Sequence, residues 1–184
     1  MFALWIVRAN TPSERKDQIV VTRVATGFRA IVMKDAEPTV LYVCCGDPRF
    51  TSAFMRFAAK FLGLLFGEFV PIFAGGGLAP LAHVRDLIDD FQYLKRQILF
   101  FLRHFKTIKK IVVVAHQECG YYDEVVQVAP DDSCGSDQEV EDLPKIATKI
   151  RDVLAAEGIE GKEVECYYAG LASDDPWSEF DKVL

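Results

Sequence analysis

Thr39-Val40-Leu41-Tyr42-Val43-Cys44-Cys45-Gly46-Asp47-Pro48-Arg49 is an apolar run that ends in two thiols, a glycine, a carboxylate, a proline and a guanidinium. A continuous apolar run of this length, with no polar alternation, reads as a strand buried on both faces. Three further runs share its character: Glu68 to Ala74, Ile111 to His116 and Glu163 to Tyr168. Between them apolar residues recur at helical spacing over Thr51 to Gly67, His83 to Phe105 and Gln138 to Glu157. Strands alternating with helices predict an α/β fold, a mainly parallel central sheet of about four strands with helices on both faces.

Boundary residues extend this reading. Thr51 or Ser52 is placed to cap the start of the first helix, Gly63 weakens it internally, and Gly67 is placed to cap its end. The stripe Phe54, Phe57, Ala58, Phe61, Leu62 and Leu65 is its expected inner face. Phe91, Leu94, Ile98, Phe101 and Leu102 mark the second helix as core or interface. Residues 1–38 read as an N-terminal arm or extension and 39–184 as the core of a single α/β domain, with no linker or repeat to divide them. Within the arm, Gln18 to Val24 fits a strand or part of a helix, and Pro12-Ser13-Glu14 suits a helix start. Asp131 to Asp137 reads as a surface loop.

Composition narrows the function. The 184 residues are 51% hydrophobic, enough to fill a core, and carry 21 Lys and Arg against 27 Asp and Glu, a net charge of −6. That balance argues against binding nucleic acid through phosphate neutralisation. Five cysteines, an odd number at irregular spacing, do not form a disulfide framework. No window offers about 18 uninterrupted apolar residues, so no membrane span is expected. The N-terminal segment lacks the basic region and cleavage site of a secretory signal, and the chain reads as cytoplasmic, where reduced thiols serve as metal ligands or reactive groups.

Ligands in open α/β sheets collect beyond the carboxyl ends of the strands. There the first run ends in Cys44 to Arg49, the second in Ala74-Gly75-Gly76-Gly77 and the third in His116-Gln117-Glu118-Cys119-Gly120. His116 and Cys119, three residues apart at a strand end, can converge on one point, and Cys45 adds a second thiolate. Two thiolates and an imidazole suit Zn²⁺ with a fourth position left open, as at catalytic zinc sites. Asp47 and Arg49 follow Cys45 at two-residue steps, so in an extended segment they share its side. Arg49 would then hold Asp47 off the metal, leaving the carboxylate to orient water bound there.

Cys45-x-Asp47-x-Arg49 followed by His116-x-x-Cys119-Gly120 resembles the β-class carbonic anhydrase family over about Val40 to Tyr122. Ala74-Gly75 between them resembles the family's glycine turn beside the active site. The resemblance implies zinc-dependent, reversible hydration of carbon dioxide to bicarbonate and a proton through zinc-bound hydroxide, with one Zn²⁺ per chain. It implies a homodimer or larger even-numbered homo-oligomer. Cys45, His116 and Cys119 would be the zinc ligands, Asp47 and Arg49 the catalytic dyad, and Ala74, Gly75, Gly76 and Gly120 the lining of the substrate pocket. Three features depart from the family pattern. Pro48 stands where it usually has Ser, Ile72-Phe73 where it has Arg-Asn, and the stretch from Cys45 to His116 is longer. These leave open a hydrolase of COS or CS₂ on the same fold, or a zinc-binding homologue without turnover that acts as a scaffold.

Several residues have plainer readings. Cys44 and Cys166 are expected in the core and Cys134 in a loop. His83 and His104 are expected at the surface. The Gly75-Gly76-Gly77 run lacks the lysine and spacing of a phosphate-binding loop, and close backbone approach explains it better.

Overall fold

The computed structural model describes residues 19–23, 29–33, 35–126, 136–171 and 178–184. The chain divides into two compact units, Met1–Ala36 and Glu37–Leu184. In the first, β1 (Ile19–Arg23) pairs antiparallel with β2 (Arg29–Met33), so the stretch near Gln18 to Val24 is a strand. The helix start expected at Pro12 lies outside the described residues, as do Cys134 and most of the loop before Ser136.

The second unit is built on β3 (Val40–Cys45), β4 (Phe69–Ala74), β5 (Lys110–His116), β6 (Glu163–Leu171) and β7 (Ser178–Lys182). They form one sheet in the order β4-β3-β5-β6-β7, parallel except that β7 runs antiparallel to β6. The fold is therefore α/β with a mostly parallel sheet, one strand larger than the sequence predicts. The missed strand, Ser-Glu-Phe-Asp-Lys, has one apolar residue and no run to mark it. After β3 the chain passes to β4 on one side and then to β5 on the other. The carboxyl ends of β3 and β5 thus flank the point where strand order reverses, where crevices open in such sheets.

Strand alternation sorts the core into two layers. Leu41, Val43, Ile111, Val113, Val164 and Cys166 face α2 (Ala79–Ala82), α3 (Ile88–His104) and α4 (Ser136–Ala156). Val40, Tyr42, Val112, Val114 and Tyr167 face α1 (Pro48–Lys60), which packs down Phe50, Phe54, Phe57 and Ala58. The buried Tyr42 hydroxyl donates to the Phe54 carbonyl of α1 at 3.0 Å, so it is satisfied within that layer.

Two helices begin and end elsewhere than expected. α1 starts at Pro48, not Thr51, because Asp47 is its N-cap and proline is suited to the first helical position. It ends at Lys60, and Gly63, at φ +68°, turns the chain away. Phe61 and Leu65, assigned to the inner stripe, are consequently 70% and 62% exposed. The expected second helix, His83 to Phe105, starts later: α3 begins at Ile88, and the short α2 ends at Ala82, before it. Cys166 and Cys44 are fully buried, as core thiols should be. His104 is exposed. His83 is only half-exposed, its Nε2 held by the Oδ2 of the fully buried Asp142.

Candidate metal centre

Cys45 is the last residue of β3 and His116 the last of β5, two adjacent parallel strands, so their side chains are neighbours at one rim. Cys119 follows in the turn after β5, and the ligand atoms of all three lie within 4.8 Å of one another, each residue buried. The sulfurs of Cys45 and Cys119 are 3.8 Å apart, too far for a disulfide, which spans about 2.05 Å. A buried His–thiol–thiol cluster of this kind could hold a metal ion.

The imidazole is prepared for that role. Nδ1 lies 2.9 Å from the Gln117 carbonyl, which can only accept, so Nδ1 carries the proton and Nε2 presents its lone pair. Nε2 is buried with no hydrogen-bond partner. Phe50 lies against the ring at 4.3 Å between centroids and Phe54 at 6.0 Å, keeping water from it. Burial pulls the imidazole's pKa down, but the neighbouring Cys45 thiol and the Gln117 carbonyl outweigh it and leave it raised. The two thiols are tied together. Cys45 is pulled well below a normal thiol by the hydrogen bond from Cys119, with His116 assisting, and Cys119 is pushed up by Cys45 and by burial. Without metal, the pair therefore keeps one thiolate and one proton.

Asp47 and Arg49 meet, though not as an extended segment would bring them. Asp47 caps α1, its Oδ1 accepting the Arg49 backbone N–H at 2.8 Å. The Arg49 side chain then folds back, with Nε 3.1 Å and Nη2 2.8 Å from Oδ2. The same Nη2 donates to the Glu118 carbonyl at 2.7 Å, tying the dyad to the turn between His116 and Cys119. Oδ2 of Asp47 is 4.0 Å from His116 Nε2, so the carboxylate stands beside the cluster with Arg49 holding it. That guanidinium also keeps the carboxyl below its ordinary range.

The glycine run closes the rim from the β4 side. The Ala74 carbonyl accepts from both Gly46 and Gly77 N–H at 2.9 Å, pinning the end of β4 to the Cys45 loop. Gly76 and Gly77 have φ of +63° and +59°, a region other residues rarely adopt. A Cβ on Gly77 would stand 3.4 Å from the Cys45 nitrogen, and one on Gly76 would enter the Tyr121 ring at 2.3 Å. Tyr121 lies over Gly75 as well, and its hydroxyl donates to Asp90 at 2.7 Å. Nothing stands within 4 Å of a Cβ built on Gly120, where the wall is open.

Sequence reading passed over three residues. Glu118 carries the cluster turn at φ +55°, and Phe50 covers His116. Glu139, on α4, accepts the Cys119 backbone N–H at 3.2 Å while 1% exposed. Burial raises its carboxyl pKa. The only signal for Glu139 was an acidic residue among helical positions, indistinguishable from a solvated one.

No family model matches the chain, and no curated protein does. Among solved structures it is similar to the β-carbonic anhydrase CafA of Aspergillus fumigatus, at 16% identity and a TM-score of 0.43 over 80% of this chain and 77% of that one. It is also similar to β-carbonic anhydrase isoform I of Trichomonas vaginalis, at 14% identity and a TM-score of 0.46 over 82% and 85%. CafD of Aspergillus fumigatus, another β-carbonic anhydrase, is 13% identical with a TM-score of 0.47 over 82% and 92%.

Proposed function

We propose that the chain is a zinc enzyme that interconverts carbon dioxide and bicarbonate. The observation that carries this reading is the Cys45–His116–Cys119 cluster with an Arg49-restrained Asp47 carboxylate 4.0 Å from His116 Nε2. Zinc fits the donor set. Tetrahedral geometry with Zn–S near 2.3 Å places two sulfurs about 3.8 Å apart, and the sulfurs here are 3.8 Å apart. The orphaned Nε2 supplies the third ligand atom.

Zinc supplies Lewis acidity that makes water nucleophilic near neutral pH. Cys45 and Cys119, as thiolates, neutralise the dication, so the site gains less from charge than a three-imidazole site would. Asp47 would make up part of that difference: ionised, it accepts a hydrogen bond from water beside it and fixes the direction of the lone pair. Arg49 occupies the Asp47 oxygens that would otherwise ligate, keeping a position free. The Phe50 and Phe54 rings keep water off the imidazole and supply an apolar flank suited to an uncharged substrate. The proton leaves to buffer. The protein works as a homodimer or larger even-numbered oligomer in a reducing, cytoplasmic setting, which accords with the free thiols of Cys44, Cys45, Cys119 and Cys166.

The deciding experiment pairs zinc stoichiometry with stopped-flow hydration of carbon dioxide. One zinc per chain with turnover well above the uncatalysed rate is the expected result. Stoichiometric zinc without hydration would mean a non-catalytic zinc protein, or, if sulfide is released from COS, a hydrolase of that substrate. Absence of zinc would refute the reading altogether.

A further inference from the structure

Helix α4 turns two buried carboxylates toward the sheet, Glu139 and, one turn on, Asp142, at 1% and 0% exposure. Asp142 is fully provided for: His83 meets Oδ2, while Gln138 and Lys145 each donate to Oδ1 at 2.8 Å. Glu139 is not. Its Oε1 accepts the Cys119 N–H, and its Oε2 is buried with no partner. Together with His116 Nε2 it makes up the unpartnered buried side-chain nitrogens and oxygens among the described residues, and both belong to residues of the metal cluster or in contact with it.

An unpaired buried polar atom weakens a fold, so the cost of burying Oε2 without a partner offsets what Oε1 contributes by pairing the Cys119 N–H. Glu139 therefore gives the metal-free fold little, while its other oxygen grips the backbone of a ligand residue from an element that supplies no ligand itself. Resting on the zinc reading above, we propose that Glu139 is the positioning residue of the metal centre. By holding the Cys119 N–H it fixes the turn that aims Cys119 Sγ at Cys45 and His116, and so sets the affinity for metal. Outer hydrogen bonds of this type change metal affinity about 10- to 100-fold.

The test compares the full-length protein with Glu139→Leu, Glu139→Ala and Glu139→Gln, and with Glu141→Leu as a control at an exposed position of the same helix. Zinc affinity is read by competition with a chromophoric chelator. Thermal unfolding of each metal-free form, and the thiolate-to-cobalt charge-transfer band of the Co²⁺ form, are read beside it. The Leu variant should bind zinc 10- to 100-fold more weakly, with an altered cobalt band, although its metal-free form melts close to the parent, because the Cys119 N–H it leaves unpaired is offset by removal of the unpaired Oε2. The Gln variant keeps an acceptor oxygen and should stay within about threefold of the parent, and Glu141→Leu should match it. Should the Leu variant not fold, the Ala variant takes its place in the comparison. Parent-like zinc affinity in a folded Leu or Ala variant overturns the proposal, as does a Gln variant as weak as Leu. Loss of affinity only in proportion to loss of metal-free stability also overturns it. If the parent itself holds no zinc, the function proposed above falls first and this inference with it.

Discussion

At the residue scale, Asp47 does two jobs that one substitution can separate. Its side chain caps α1 through the Arg49 backbone N–H, and its second oxygen faces the cluster in the grip of the Arg49 side chain. Asn caps a helix as well as Asp does, so Asp47→Asn should keep the fold and zinc while losing the ionised carboxylate. Turnover should fall by roughly 10² to 10⁴-fold, the usual contribution of a positioned proton acceptor. Unchanged hydration in a zinc-replete Asp47→Asn protein would remove the dyad from the mechanism. The pH dependence has a definite sign. Arg49 holds the folded carboxyl below its unfolded value, so this pair's contribution to stability is complete above about pH 4 and disappears as pH falls through the folded pKa. Melting curves of metal-free parent and Asp47→Asn should therefore differ at neutral pH and converge in acid. Because the Arg49 side chain is half exposed, the difference should be small and shrink with added salt.

At the scale of elements, the site depends on left-handed backbone that favours glycine. Gly76 combines a φ of +63° with the Tyr121 ring where a Cβ would be. Gly76→Ala has to strain the turn and displace a ring whose hydroxyl holds Asp90. The expected loss is about 2 to 4 kcal/mol of stability, from left-handed strain added to overpacking. Gly120→Ala, facing open space, should cost far less. Denaturant titration of the two variants checks this contrast, and equal midpoints would contradict it. The same elements show what was legible in the sequence. β3 and β5 are plain because strands buried on both faces are continuous apolar runs, and their ends carry the candidate ligands. β7 was hidden because an edge strand with one apolar residue has no such run. α1 starts earlier than its apolar spacing indicates because Asp47-Pro48, which reads as extended chain, is itself a helix start. Glu139 could not be found, since its meaning comes from a contact with Cys119 that only the fold creates.

For the whole molecule, the cluster joins β3, β5 and the turn beyond β5, held from outside by α4, so metal binding should stabilise the sheet unit Glu37–Leu184 as a body. A ligand that binds only the folded state adds RT ln(1 + [L]/Kd), about 2.7 kcal/mol at a hundredfold excess over Kd, or roughly 5 to 10 °C in Tm for a unit of this size. Calorimetry of the metal-free protein with and without zinc should show that rise, and His116→Ala should abolish it. An equal rise in His116→Ala would place the bound zinc elsewhere. The gain should also depend on pH in one direction. Metal must displace the proton that Cys119 retains against the Cys45 thiolate and, in acid, one from His116, whose pKa is raised. Zinc binding therefore releases protons, and the stabilisation should shrink steadily as pH is lowered. A zinc-induced shift that grows in acid would mean that the thiolates and the imidazole are not the groups that hold the ion.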